Sequence, residues 1–296
     1  MKFFVFSIEE NDSRVNRFRQ ELAKFKFELV EVQAYETLIK KNRIFYRGQE
    51  LVFNKDDFCW LFGNSMANQY INSVLKGKEV SVWPTYTVSK IFSDKFLTAD
   101  FFENNGIKTP ETIMINSYSK AHLAEIVNVL GGFPCVIKNV KGSQGIRVAL
   151  VNNFSQIKDF IIKDKQKGLE EMITPYKKTA YFLQEYIEGS KGVDYRVLCL
   201  GGEVLGGMKR SSKDDFRSNI SLGGKGEIFK VDEKLRETCL KIMKKGELFY
   251  AGIDFVKKGD EFIAIEVNTS AEFKGFEEFV GINVVEKIIT KIIENY

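Results

Sequence analysis

The sequence predicts a mixed α/β and α+β protein, and two sets of patterns support that fold class. The first is an apolar segment (2–8), an amphipathic segment and a second apolar segment (27–33). This order is typical of a β-α-β unit in a parallel sheet. The second is a series of apolar strand pairs farther along the chain, joined by short glycine-containing turns and separated by helical patterns. Such strand pairs indicate antiparallel sheets.

Length and composition limit the classes of protein that the chain can represent. Its 296 residues are 44% hydrophobic and 28% charged, which is typical of a globular protein of two or three small domains. No apolar stretch approaches the roughly 20 residues of a membrane span. The start of the chain turns polar too soon for a secretory signal. The net charge of +4 is too small to indicate a nucleic-acid partner. We therefore expect a cytoplasmic protein without a nucleic-acid or membrane partner.

Cysteine and histidine usage narrows the chemistry further. The cysteines are far apart and lack the spacing of a zinc site, so we expect reduced, core-forming thiols. They are Cys59, Cys135, Cys199 and Cys239. The single histidine, His122, lies in a helical pattern. A histidine base or a histidine-ligated metal is therefore not expected.

The segment 251–270 reads as a β-hairpin that carries hard oxygen ligands. Glu266 and Asn268 share a face of the second strand, and a turn at Gly259–Asp260 brings Asp254 to within about one residue of Glu266. Two carboxylates and an amide on an apolar sheet face are costly to bury without a cation. Oxygen ligands favour Mg²⁺ or Mn²⁺. Taken alone, the pattern fits a solvent-facing hairpin edge equally well.

Other polar features stand beside helix starts and strand ends. Ser93 is expected to cap a helix that Gly106 ends, and Lys95 in its first turn either points into water or meets an anion. Lys138 interrupts an apolar strand that precedes a glycine-bracketed loop, 142–145, which suits phosphate binding or a simple hairpin turn. The segment 211–226 is polar and glycine-rich, as in a loop that closes over a substrate or in surface disorder.

Several segments in order resemble the ATP-grasp ligases, most closely the RimK-like family of ribosomal-protein glutamate ligases and lysine-biosynthesis carrier-protein ligases. They are FPCVIKNVKGSQGIRV, FLQEYIEGSKGVDYRV, KDDFRSNISLGG, AGIDF and FIAIEVNTS. The resemblance covers roughly residues 90–293. It implies an ATP-grasp fold with an N-terminal β-α-β (pre-ATP-grasp) domain (1–90), a central lobe (91–183) and a C-terminal lobe (184–296). The two α+β lobes enclose ATP.

The resemblance also implies roles for individual residues. Lys95 and Lys138 would contact the ATP phosphates. Asp254, Glu266 and Asn268 would bind two Mg²⁺ ions, with Mn²⁺ as an alternative. The other nucleotide contacts would be Gly142, Ser143, Gln144 and Gly145 over the phosphates, Gln184, Glu185, Tyr186 and Ile187 beside adenine, Asp194 at the ribose, and Ser218 and Asn219. Transition-state stabilisation is expected from Arg196, Arg210 and Arg217, with Arg210 the least supported by motif position.

One segment departs from the family pattern. The family usually follows its metal motif with a small residue, Ser, Pro and Gly, whereas this chain has Thr269-Ser270-Ala271-Glu272-Phe273. The loss of Pro and Gly changes backbone freedom beside the metal site and adds an acidic and an aromatic side chain. The first 90 residues match the family only in their β-α-β style. The identity of the acceptor substrate therefore cannot be transferred from the family to this chain.

The expected function is Mg-ATP-dependent formation of an amide or peptide bond between a carboxylate and an amino-acid or peptide amine, through an acyl phosphate. Glutamate is favoured by family analogy alone. Phosphoryl transfer needs charge neutralisation and alignment more than a protein nucleophile, which suits a chain with one histidine. A phosphotransferase and a non-catalytic ATP-binding regulatory protein are the alternatives. Homo-oligomerisation is compatible with the sequence.

Overall fold

The computed structural model describes residues 1–142, 147–170, 180–212 and 225–294 of the chain. The strands are β1 (Lys2–Ser7), β2 (Glu28–Gln33), β3 (Thr37–Lys40), β4 (Arg43–Tyr46), β5 (Gln49–Glu50), β6 (Phe58–Leu61), β7 (Ser81–Trp83), β8 (Thr112–Met114), β9 (Cys135–Asn139), β10 (Val148–Val151), β11 (Tyr181–Glu185), β12 (Val193–Leu200), β13 (Glu203–Ser211), β14 (Lys225–Phe229), β15 (Tyr250–Lys258) and β16 (Glu261–Asn268). The helices are α1 (Ser13–Leu22), α2 (Met66–Leu75), α3 (Tyr86–Phe92), α4 (Lys95–Asn104), α5 (Lys120–Val129), α6 (Phe154–Glu170), α7 (Glu233–Lys245), α8 (Lys274–Val280) and α9 (Val284–Glu294).

The N-terminal part of the chain forms a parallel sheet in the order β2-β1-β6-β7. β1 is almost continuously apolar because both of its faces are covered. Phe3 packs into the core that contains α1, and Phe4 packs into the core that contains α2. Asp12 caps α1 by accepting a hydrogen bond from Arg14 N at 2.9 Å. The predicted β-α-β opening is confirmed.

The remaining large sheets are antiparallel, as the hairpin patterns predicted. One has the order β10-β9-β11-β8 and the other the order β14-β13-β12-β15-β16. Gly201 and Gly202 form the turn between β12 and β13 with φ of 54° and 82°. These left-handed conformations favour glycine. The small sheet β3-β4-β5 lies within the N-terminal part.

Two local predictions differ from the structure. Ser93 is the residue that ends α3, and Asp94 caps α4 by accepting hydrogen bonds from Phe96 N at 3.0 Å and Leu97 N at 3.1 Å. Both residue types cap helices well, so the sequence did not distinguish them. Strands β13 and β14 take up both ends of the expected loop 211–226, and residues 213–224 lie outside the described residues.

A shared core joins the parallel sheet to the five-stranded sheet. The ring of Trp60 in β6 lies 5.7 Å from that of Tyr250 in β15, and Phe18 of α1 lies 6.2 Å from Phe273. Truncating a buried aromatic side chain of this kind to alanine costs about 3–5 kcal/mol. These aromatic contacts therefore anchor the hairpin β15-β16 and the residues after it to the N-terminal part of the chain.

The four cysteines are buried and free, as expected of core-forming reduced thiols. Within the described ranges, no helix is long and apolar enough to cross a membrane.

Candidate active site

The hairpin β15-β16 places its three candidate ligands side by side. Asp254 pairs with Glu266, and Asn268 pairs with Gly252, so the three polar side chains lie on one face. A register shift between Asp254 and Phe255 absorbs the one-residue offset that the turn alone would leave. Asn268 donates from Nδ2 to Asp254 Oδ2 at 3.1 Å. The predicted clustering of these residues is therefore present.

Two arginines extend this polar face onto the neighbouring strands. Arg196 in β12 lies opposite Asp254 and donates to both of its carboxylate oxygens, from Nε and Nη2, at 2.7 Å each. Arg210 in β13 lies opposite Asp194 and donates to both of its oxygens at 2.6 Å. Arg210 Nη2 also lies 3.1 Å from Asp254 Oδ2. Paired arginine–carboxylate contacts of this kind fix orientation as well as charge.

Charge compensation is what keeps Asp254 ionised in its buried position. Burial alone would raise the pKa of this carboxyl, but Arg196 and Arg210 lower it to about 2. The pKa of Arg210 is raised because the attraction of Asp254 and Asp194 outweighs the effect of burial. Asp254 therefore carries its negative charge throughout the neutral range.

Close backbone approach beside Asp254 requires a glycine. A Cβ added at Gly252 would lie 2.8 Å from Ala271 Cβ and 3.3 Å from Arg196 Cδ. The absence of a side chain therefore leaves the space in which Arg196 crosses the sheet to Asp254.

Two lysines from outside the sheet reach the same site. Lys95, the first residue of α4, donates from Nζ to Glu266 Oε1 at 2.6 Å, and its side chain is only 12% exposed. Of the two expectations for Lys95, contact with an anion is the one observed. Lys138 in β9 donates to Gln184 Oε1 at 2.6 Å. Burial, together with the positive charge of Lys95, lowers the pKa of Lys138 to about 8.

The lowered pKa of Lys138 predicts that nucleotide affinity depends on pH. A protonated lysine binds phosphate, so affinity should fall as pH rises through about 8, with the Kd for the ATP analogue AMPPNP rising toward about tenfold per pH unit. A fluorescence titration between about pH 7 and pH 9.5 measures this. Arginine stays protonated over that range, so Lys138→Arg should bind AMPPNP with an affinity independent of pH. The same pH dependence in both proteins would contradict a phosphate-binding role for Lys138.

The strand end expected beside adenine has a polar and an apolar side. Gln184 bridges Lys138 and Thr112, donating to Thr112 Oγ1 at 2.8 Å. Glu185 accepts from Lys258 Nζ at 2.6 Å. Burial, reinforced by Glu188, raises the pKa of Tyr186. Ile187 is buried in a small apolar cluster. The other members of that cluster are Val256 and Ile263, with Ile265 packed against them.

These isoleucines and Val256 pack against one another beside the strand end that the resemblance places near adenine. Sequence reasoning identified only Ile187 among them. The signal was available in the alternating apolar positions of β15 and β16.

Of the residues expected to cover the phosphates, only Gly142 belongs to the part of the chain that the structure describes. Gly142 has φ of 129°, a conformation that favours glycine. Ser143, Gln144 and Gly145 lie outside the described residues, as do Arg217, Ser218 and Asn219.

The donor set fits a hard divalent cation. Within the parts of the chain that the structure describes, no three His, Cys, Asp or Glu side chains form a metal cluster. The candidate set consists instead of two carboxylates and an amide, an oxygen-only set that suits Mg²⁺ or Mn²⁺. Because Asn268 Nδ2 donates a hydrogen bond to Asp254, the atom of Asn268 that would bind a cation is Oδ1.

The segment that departs from the family pattern is fixed against the N-terminal part of the chain. Trp83 Nε1 donates to Thr269 O at 3.1 Å, and Tyr250 OH donates to Ala271 O at 2.9 Å. Glu272 Oε1 lies 3.3 Å from Arg14 Nε, and the side chain of Glu272 is 59% exposed. The acidic residue of this segment thus pairs with α1 at the protein surface.

Comparison with known proteins supplies the family context. Residues 92–292 match the RimK-like ATP-grasp domain family. A "Probable alpha-L-glutamate ligase" of Syntrophotalea carbinolica is 32% identical over 206 residues, which is 69% of this chain and 64% of that protein. A "Probable alpha-L-glutamate ligase 1" of Shewanella oneidensis is 34% identical over 200 residues, or 67% of this chain and 62% of that protein. The chain thus spans 62% to 64% of the length of these two relatives.

Solved structures show the same fold over almost the whole chain. The ATP-grasp ligase PsnB complexed with minimal precursor has a TM-score of 0.71 at 18% identity, covering 99% of both chains. The D-alanine–D-alanine ligase of Bacillus anthracis complexed with ATP has a TM-score of 0.69 at 20% identity, covering 99% of this chain and 96% of that one. At these identities the likeness concerns the fold, and it confirms the predicted ATP-grasp architecture.

Proposed function

The chain belongs to the RimK-like ATP-grasp family, and on that premise we propose that it is a Mg-ATP-dependent carboxylate–amine ligase. The observation that carries the proposal is the polar face shared by β12, β15 and β16. There Asp254, Glu266 and Asn268 lie together. Arg196 donates a hydrogen bond to Asp254, and Lys95 donates one to Glu266. Phosphoryl transfer requires such a collection of cations and hard oxygen ligands.

In the proposed reaction, a carboxylate oxygen of the first substrate attacks the γ-phosphorus of ATP and releases ADP. The acyl phosphate that results is attacked by an amine, which loses a proton, and phosphate leaves as the amide forms. Asp254, Glu266 and Asn268 would hold Mg²⁺, which neutralises phosphate charge when it is bound. Lys95 and Lys138 would bind phosphate oxygens, and their positive charges would offset the negative charge of the transferring group.

The two described arginines take different parts in this proposal. Arg196 borders the site and holds Asp254 in a fixed orientation. Arg210 is 5% exposed and lies between Asp194 and Asp254. We therefore assign Arg210 to positioning these two carboxylates and reserve direct contact with the transferring group for Arg196. This revises the expectation that both arginines stabilise the transition state directly.

The proposed substrate class includes an amino acid, with glutamate favoured. The names of the two curated relatives support glutamate, and the free thiols of the four cysteines support a cytoplasmic site of action. We also propose the three-domain division given above, with one adjustment. β11 runs from Tyr181 to Glu185, so the central lobe extends to the end of that strand.

The test is phosphate release from Mg-ATP by the purified protein against pools of amino acids and short peptides, followed by mass spectrometry. We expect release that depends on a particular pair of substrates, with a product heavier by one condensed amino acid. Omission of Mg²⁺ is the control and should stop the reaction. A phosphorylated product without free phosphate would indicate a phosphotransferase. Tight nucleotide binding without turnover on any pool would favour a regulatory ATP-binding protein.

A further inference from the structure

An apolar groove opens on the surface of the N-terminal part of the chain, between β3 and α2. Its volume is about 350 Å³. Tyr35, Thr37 and Ile39 lie in one wall, and Tyr70 and Val74 of α2 lie in the other. Tyr35 is 66% exposed, Tyr70 59% and Ile39 42%. Single exposed apolar side chains are ordinary, but a groove lined by several of them is typical of a surface that another molecule covers.

The backbone of β3 is open along one edge. Among the described residues, β3 pairs only with β4, in the small sheet β3-β4-β5. Ile39 lies opposite Ile44, whose carbonyl oxygen accepts a hydrogen bond from Leu51 N at 2.8 Å, on the side away from β3. Opposite residues in an antiparallel pair exchange either both of their hydrogen bonds or neither. The N–H and C=O groups of Ile39 therefore point to the open edge, where an added strand can bind them.

Positive charge is in excess at the end of the groove beside the turn between β3 and β4. A Cβ added at Gly77, just after α2, would lie 3.8 Å from Asn42 Nδ2, so this turn meets the C-terminal end of the helix. Four lysines belong to the turn and the helix end: Lys40, Lys41, Lys76 and Lys78. In the part of the chain that the structure describes, none of the four lies in an ion pair. Glu79 offsets one of these charges, and Glu36 and Glu50 already pair with arginines.

We propose that this face binds an extended segment of another protein in which acidic and apolar side chains alternate. The segment would add to the open edge of β3 as a further strand. Successive side chains of a strand point to opposite faces, so its apolar side chains would enter the groove beside Ile39 and its carboxylates would lie on the other face, beside Lys40. A second copy of this chain presents the same excess of positive charge, so charge complementarity favours an acidic partner. The surface lies outside the proposed catalytic site, and the inference does not depend on the ligase assignment.

The test uses a capped hexapeptide in which aspartate and leucine alternate, and a control peptide with lysine in place of aspartate. In NMR titrations of the full chain, the acidic peptide should bind with a Kd below about 1 mM and the basic peptide at least about tenfold more weakly. Solvent exchange of the Ile39 amide should slow at saturation, because the added strand accepts its hydrogen bond. Equal binding of the two peptides, or no binding of the acidic one at several millimolar, would overturn the inference.

Two variants test the charge and the open edge separately. Lys40→Glu/Lys41→Glu should raise the Kd for the acidic peptide at least about tenfold. Its matched control is Lys244→Glu/Lys245→Glu, an adjacent lysine pair on α7, which does not line the groove; the Kd should stay within about twofold of the wild type. Ile39→Pro removes the edge N–H without taking a hydrogen bond from β4, and it should abolish binding.

Circular dichroism establishes that each variant is folded, and unchanged peptide affinity in either folded variant of β3 would overturn the inference. Sedimentation of the wild-type protein tests the other occupant. A stable dimer that Ile39→Pro dissociates would mean that a second copy covers this face, and it would overturn the inference as well.

Discussion

Glu266→Gln should reduce turnover by about 10²–10³-fold while the thermal stability of the protein stays close to that of the wild type. The side chain of Glu266 is 33% exposed and its ion-pair partner is Lys95. Because Lys95 is 12% exposed, the pair is partly buried, and its loss should cost about 1 kcal/mol or slightly more, well below the about 3–5 kcal/mol of a fully buried pair. The effect on turnover is large because the substitution removes the negative charge that we propose binds Mg²⁺.

Steady-state ligase assays and thermal melting measure the two effects of Glu266→Gln separately. Glu261→Gln is a matched control on the same strand, since Glu261 pairs with Lys108 on the protein surface. It should change neither quantity. A turnover rate near that of the wild type in Glu266→Gln would exclude Glu266 as a metal ligand.

Asp254→Asn should lose both turnover and stability. Asp254 is 3% exposed and compensates Arg196 and Arg210, so the substitution removes the counter-ion of Arg196 and leaves Arg210 paired with Asp194 alone. Breaking a buried pair of this kind costs about 3–5 kcal/mol. Turnover should fall at least as far as in Glu266→Gln, because Asp254 orients Arg196 in addition to its proposed role as a ligand of the cation.

Denaturant unfolding and ligase assays on both variants separate these contributions. The difference in unfolding free energy between Asp254→Asn and Glu266→Gln should be several kcal/mol, about 3 or more. From sequence alone, Asp254→Ala would be expected to leave the fold largely intact. Equal stability of the two variants would agree with that expectation and would contradict a stabilising role for the contacts of Asp254 with Arg196 and Arg210.

The hairpin β15-β16 illustrates what a sequence pattern can establish. Alternation along both strands predicted the shared face of Glu266 and Asn268, and the turn placed Asp254 within one residue of its observed partner. The remaining offset depended on the register shift after Asp254, which no local pattern marks. The start of α4 shows a similar limit, because Ser93 and Asp94 are adjacent and cap helices equally well.

The polar contacts of the site were beyond sequence reasoning because they join residues far apart in the chain. Arg210 was expected to meet the transferring group, yet its neighbours Asp194 and Asp254 are visible only once three strands are aligned. Asp164 in α6 is buried and accepts hydrogen bonds from Asn139 and Tyr181, whereas a charged residue in a helical pattern ordinarily points into solvent. Its meeting with Arg147 depends on how α6 packs on the sheet.

The most direct test of the central claim is the origin of the oxygen in the phosphate that is released. With the reaction run in water enriched in oxygen-18 and unlabelled substrates, attack by a substrate carboxylate predicts phosphate without a solvent oxygen, formed in step with an amide product. Mass spectrometry of the released phosphate and of the amide measures both quantities in one reaction mixture. Phosphate carrying one solvent oxygen, without an amide product, would mean that ATP is merely hydrolysed and would contradict the ligase assignment.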